Sequence, residues 1–145
     1  MRKAALIALV LAVAACSRGG REAITAAPGA PAAIGPYSQA VRVGDTLYLA
    51  GQIGVDPTTG EFAPGGVGPQ TRQALENCRA VLAAAGFTPA DVVQAQVFLD
   101  DIGEFAAMNE VYATFFPQAP PARATVEVAE LPRGAKVEIM LTAVR

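Results

Sequence analysis

The 145-residue chain contains no histidine and no tryptophan, and only two cysteines. Without histidine, Ser-His-Asp and Cys-His catalysis are excluded, and a transition-metal site would have to be built from carboxylates alone. Metal-free chemistry is the expectation. Charge is equally sparse, with 17% charged residues and 13 acidic against 11 basic side chains. No basic cluster interrupts that balance, which argues against nucleic acid as a main partner. Long hydrophobic runs are missing too: the apolar stretch from Ala4 to Ala15 is shorter than the roughly 20 residues a membrane-crossing helix needs.

That stretch follows Met1, Arg2 and Lys3 and ends in small residues, which is the pattern of a secretion signal over residues 1–15. Val13-Ala14-Ala15-Cys16 narrows the reading to a bacterial lipobox, in which the Cys16 thiol carries lipid. The expected product is exported and held to a bacterial membrane by its lipid anchor alone, facing the periplasm or lying at the cell surface. Cleavage before Cys16 removes Arg2 and Lys3, leaving 130 residues, nine basic and 13 acidic side chains and a net charge of −4. That length suits one domain. With Cys16 lipidated, Cys78 has no partner for a disulfide. Its place beside Ala74, Val81, Leu82 and Ala85 on a helical apolar stripe favours a buried thiol over a nucleophile.

After Cys16, residues 17–33 are rich in Gly, Ala and Pro without periodicity and read as a tether, so the domain is expected from Ile34 to Arg145. Val41-Arg42-Val43 and Thr46 to Ala50 flank Gly44-Asp45 as two strands joined by a tight turn. Asp56 to Gly60 marks another turn. A helix is predicted from Pro69 through the apolar positions of Ala74 to Ala85, with Gly86 at its end. Val92 to Leu99 predicts a strand with Val93, Ala95, Val97 and Leu99 on one face. Asp101 and Glu104 imitate a capping box before a second helix, whose stripe of Phe105, Met108, Tyr112 and Phe115 reads as core. Two closing strands, Arg123 to Val128 and Lys136 to Val144, are separated by a turn at Leu131-Pro132-Arg133-Gly134. The order ββαβαββ predicts an α+β fold: one mixed sheet with two helices packed on one face.

Polar residues in the closing strands stand out. Ala124, Val126 and Val128 suit a core, which places Arg123, Thr125 and Glu127 on the opposite face. In the last strand, Glu138 shares a face with Met140 and Val144, so its carboxylate sits on a side that is itself largely apolar. Either it pairs with a cation at a subunit contact, or it works in a cleft whose low polarity raises its pKa towards neutrality.

Four fragments then form a recognisable set: Ile34-Gly35-Pro36-Tyr37-Ser38-Gln39-Ala40, Ala50-Gly51-Gln52-Ile53-Gly54, Pro121 to Val128 and Lys136-Val137-Glu138-Ile139. In order and spacing, over Ala33 to Arg145, they resemble the RidA family of enamine/imine deaminases. The resemblance implies a chorismate-mutase-like homotrimer with three clefts between neighbouring subunits. It implies that Arg123 grips the carboxylate of a 2-imino acid, a task suited to a planar guanidinium, while Glu138 activates water. No cofactor is implied. Tyr37 and Asn109 match cleft-lining positions, though Tyr37 could equally close a domain edge and Asn109 could be an exposed helix residue. Backbone around Gly51 and Thr125 would supply hydrogen bonds to substrate. Two positions depart from the family pattern: Ala50 stands where many members have Ser, and Thr125 where many have Cys. Export is a further departure, because 2-aminoacrylate, the substrate best associated with the family, arises in the cytoplasm. The alternative reading is a module that binds amino acids, 2-oxo acids or related carboxylates through Arg123 without turning them over.

Overall fold

The structure, a computed structural model, describes residues 20–145. Cys16 and the signal segment lie outside these residues. The chain forms β1 (Arg21–Ile24), β2 (Ala40–Val43), β3 (Thr46–Leu49), β4 (Gln52–Ile53), α1 (Val67–Ala84), β5 (Val92–Leu99), α2 (Phe105–Phe115), β6 (Ala122–Glu127) and β7 (Val137–Val144). The strands make one sheet in the order β1-β2-β3-β7-β5-β6, with β4 pairing β7 beyond the end of β3. Only β5 and β6 run parallel, connected through α2, so the sheet is mixed as expected.

Alternation along the strands explains the layering. On the side facing α1 and α2, Leu47, Leu49, Val97, Leu99, Ile139 and Leu141 are at most 3% exposed. Burial at that density in a strand contributes about 1.5–3 kcal/mol for each large aliphatic side chain. Among the described residues the other face carries no helix: Tyr48, Val126 and Val144 are 52%, 46% and 41% exposed. Helix α1 packs on β4 and β7 and against α2. Cys78 is fully buried on it, and burial pushes its thiol pKa up, as befits a core residue without reactive character. Gly86, with φ +78°, ends this helix at the predicted place.

Amides tie α1 to the sheet. Asn77 Nδ2 donates to the carbonyls of Ile53 (3.0 Å) and Val55 (2.9 Å), and Gln70 Oε1 accepts from the Lys136 amide at 2.9 Å. These bonds tie backbone groups at the ends of β4 and β7 to α1, the Ile53 carbonyl accepting from the Val55 amide as well. Close approach here depends on Gly54, since a Cβ at that position would lie 2.6 Å from Gln70 Cα.

Several expectations need correction. The tether assigned to residues 17–33 contains β1, which pairs antiparallel with β2 from Arg21↔Val43 to Ile24↔Ala40. Gln39, 1% exposed, fixes the following stretch by accepting from the Ala27 amide (2.6 Å) and donating to the Pro31 carbonyl (2.6 Å). That pinning is a contact between distant positions, which local composition does not encode. Val93 is 48% exposed, because the β5 register skips it between Val92 and Gln94 and Val92 takes its place in the core. Asp101 does act as a cap, accepting from the Gly103 amide at 2.7 Å, but it caps a 3-10 turn over Ile102–Glu104 that leads into α2. Glu104 completes no capping box; its Oε2 is buried without a partner. Along α2, Met108, Tyr112 and Phe115 are buried as expected, whereas Phe105 is 39% exposed.

Candidate functional site

Register decides where the two charged residues of the closing strands point. Arg123 pairs with Ala95, which pairs with Leu141, and both partners are 1% exposed on the helix-covered face. Arg123 and Thr125 therefore face α2, while Ala124 and Val126 face outward. This inverts the expected orientation of that strand. Its alternation defines two faces without saying which one the helices cover. Glu138 pairs with Phe98, which pairs with exposed Val126, so its side chain belongs to the uncovered face. The two strands are not adjacent either, because β5 lies between β6 and β7. Within one chain, Arg123 and Glu138 thus occupy opposite sides of the sheet.

Each sits in its own pocket. On the open face, a pocket of about 240 Å³ is lined by Ile34, Tyr37, Ala50, Gly51, Ile53 and Glu138, with Pro132 at its rim. It exists because the strand path breaks. β3 leaves β7 after Tyr48↔Thr142 and β4 rejoins at Gln52↔Ile139, so Ala50 and Gly51 stand off the ladder beside Glu138. A Cβ at Gly51 would overlap the Glu138 carboxylate, which explains why a residue without a side chain occupies this step. The Tyr37 hydroxyl accepts from the Ile34 amide at 3.2 Å, holding the phenol at the pocket wall. Glu138 itself has no ion-pair partner among the described residues, and burial raises its carboxyl pKa above the ordinary value.

On the covered side, at the sheet edge, a pocket of about 370 Å³ is lined by Asn109, Tyr112, Ala113, Phe116, Pro120 and Arg123, with Pro121 beside them. Arg123 Nη2 donates to Asn109 Oδ1 at 2.8 Å. The guanidinium carbon lies 4.3 Å from the Tyr112 ring centroid and 5.6 Å from that of Phe105. Thr125, two residues along the same face, has a buried hydroxyl without a hydrogen-bond partner among the described residues. So the structure groups Tyr37 and Gly51 with Glu138, and Asn109 with Arg123 on the face that Thr125 shares. It does not join the two groups in one chain. Tyr112 was not among the residues singled out from sequence as functional. The signal that could have found it is its spacing of three from Asn109, which puts both on one side of α2.

Fold and half-sites together define a class: single-domain α+β proteins with a helix-free sheet face and polar pockets at the sheet's break and edge. A family model described as endoribonuclease L-PSP matches residues 27–145. Mouse 2-iminobutanoate/2-iminopropanoate deaminase is 51% identical over 116 residues, spanning 80% of this chain and 86% of the mouse protein. The crystal structure of the E. coli YjgF gene product superposes with a TM-score of 0.81 at 45% identity, covering 86% of this chain and 99% of that one. E. coli TdcF, solved with bound serine, gives a TM-score of 0.81 at 43% identity, covering 86% and 99% of the respective chains. The chain belongs to the endoribonuclease L-PSP family, which is the RidA/YjgF family.

Contact between position 51 and Glu138 has a direct test. Gly51→Ala is expected to push the flexible Glu138 side chain aside, destabilising the protein by up to about 1 kcal/mol. In a Glu138→Ala background the cost should fall to a few tenths of a kcal/mol, because the overlapping carboxylate is gone. Urea unfolding of the two single variants and the double variant measures this; equal cost in both backgrounds would contradict the contact.

Proposed function

We propose that this protein hydrolyses small 2-imino acids to 2-oxo acids and ammonia, in clefts formed between copies of the chain. The observation that carries the reading is a partly buried carboxyl and a partly buried guanidinium, neither within ion-pair distance of an opposite charge among the described residues, on opposite faces of one sheet. A neighbouring copy laid against the open face would cover Tyr48, Val126 and Val144 and could bring its Arg123 to Glu138. Three copies, as the family resemblance implies, would complete three such sites with cyclic symmetry.

In that cleft Arg123 holds the substrate carboxylate through paired donors, and Glu138 accepts a proton as water adds to the imine carbon. From a protonated imine the adduct is a neutral carbinolamine. Glu138 returns the proton to nitrogen, then takes the hydroxyl proton as the carbon–nitrogen bond breaks and the carbonyl forms, and passes it to the departing ammonia. One carboxyl group serves every transfer, and overall protonated imine and water become 2-oxo acid and ammonium. Tyr37, Asn109 and the backbone at Gly51 and Thr125 line the ligand's path. Relatives named for deamination of 2-iminobutanoate and 2-iminopropanoate, and one crystallised with serine, support a small amino, imino or oxo acid as the ligand class. Non-catalytic binding of such carboxylates is the alternative.

The decisive assay generates a 2-imino acid in situ and follows its decay spectroscopically. Glu138→Gln is expected to lower kcat by roughly 10²–10⁴-fold, and Arg123→Ala to raise KM by roughly 10–100-fold. Because burial raises the Glu138 pKa and water activation requires its ionised form, kcat/KM should decline on acidification at a pH above the ordinary carboxyl value of 4.5. That limb should be lost in Glu138→Gln. Wild-type decay no faster than buffer would leave only carboxylate binding.

The membrane anchor remains part of the proposal. Since β1 begins at Arg21, residues 17–20 alone separate Cys16 from the sheet. Five chain steps reach at most about 18 Å, so a lipid on Cys16 would hold the domain close to the bilayer. Labelled palmitate should enter the wild-type protein in the bacterial host, and Cys16→Ala should move it from the membrane to the soluble fraction. Unchanged membrane association in that variant would contradict the anchor.

A further inference from the structure

Within the half-site of Arg123, we infer that Tyr112 is a positioning residue: its ring, with Asn109, clamps the guanidinium without neutralising it, so that its charge is kept for an anionic ligand. The inference rests on the proposed role of Arg123 as carboxylate receptor and adds the means by which it is held. A long arginine at a sheet edge loses side-chain freedom when ordered, and something must offset that cost. An acidic partner would do so and would then compete with the ligand. Among the described residues no carboxylate lies within ion-pair distance of Arg123. Instead the guanidinium rests 4.3 Å from the Tyr112 ring centroid, with one nitrogen donating to the Asn109 amide oxygen at 2.8 Å. Both neighbours are neutral, and they take up one face and one nitrogen of the five-donor fork.

Tyr112 is itself buried and packed. It is 4% exposed, and its ring packs 4.9 Å from that of Phe116, which in turn meets Phe115 edge-on at 4.9 Å. Its hydroxyl is buried with no partner of hydrogen-bond geometry among the described residues, while its ring lies under the Arg123 guanidinium, whose charge opposes the rise in the phenol pKa. Burial pushes the phenol pKa up to about 12 while Arg123 opposes the shift, so no phenolate forms to cancel the cation at neutral pH.

Calorimetry on the whole protein tests this with two ligands of one shape, 2-oxobutanoate and its neutral carboxamide. Tyr112→Leu is expected to weaken 2-oxobutanoate binding by about tenfold and to leave the carboxamide within about twofold. Tyr112→Phe, which keeps the ring, should match wild type for both. Parallel losses for acid and amide would indicate a merely structural role and overturn the inference, as would equal behaviour of the Phe and Leu variants. If Tyr112→Leu does not fold, Tyr112→Met fills the space without a ring and carries the same expectations. Wild-type protein that binds 2-oxobutanoate but hydrolyses no imine would overturn the deaminase reading alone; wild-type protein that binds no carboxylate would overturn the clamp.

Discussion

A sheet covered on one side only is the constraint from which the rest of this molecule follows. Both helices pack on the face that carries Leu47, Ile139 and Leu141, leaving the face of Tyr48, Val126 and Val144 without a partner among the described residues. Side chains alternate between these faces with period two, so a single register assigns every residue its side. Through β5, the ladders Arg123↔Ala95↔Leu141 and Glu138↔Phe98↔Val126 differ by an odd number of steps. The guanidinium is thereby placed with the helices and the carboxyl with the open surface. On the proposed function each of these charges is half of a site, and the open face is where a second copy would both bury surface and complete the chemistry.

Each half is made by a local departure from regularity. At the Glu138 side the departure is backbone: the path from β3 to β4 interrupts at Ala50 and Gly51, and the gap becomes a pocket only because position 51 carries no Cβ. Gly54, a turn further, lets α1 approach closely enough for Asn77 to hold the broken strand's carbonyls. At the Arg123 side the departure is chemical. An arginine is ordered by an aromatic ring and an amide, where a carboxylate would be the ordinary partner. Both devices leave charges uncompensated, which is costly for a fold and useful for a site.

Sequence periodicity carried much of this architecture. The Gly44 turn, the extent of α1 with Gly86 at its end, the long β5 and the final strand are all where alternation and turn chemistry put them. Faces and long-range contacts were less legible. Alternation in β6 marks two sides equally well whichever is buried, so the expected orientation of Arg123 came out inverted. One skipped residue at Val93 moved a valine out of the core. Strand β1, four residues long and including Arg21 and Glu22, has a composition no different from a linker and is recognisable only through its pairing with β2. Glu138 was legible as an anomaly, a carboxylate among apolar neighbours, whereas Tyr112 was hidden inside an aromatic stripe that is correctly core and also touches Arg123.

The proposed site, with Arg123 and Glu138 on opposite faces of one chain, would need two chains to form, and subunit mixing addresses that claim most directly. Arg123→Ala and Glu138→Ala proteins, each inactive alone, would be co-expressed with different tags and isolated together. Random mixing in a cyclic trimer leaves about three assemblies in four mixed, each with one intact interface, so about a quarter of wild-type imine hydrolysis should return. A preparation shown by its tags to be mixed, yet no more active than either parent, would contradict the account.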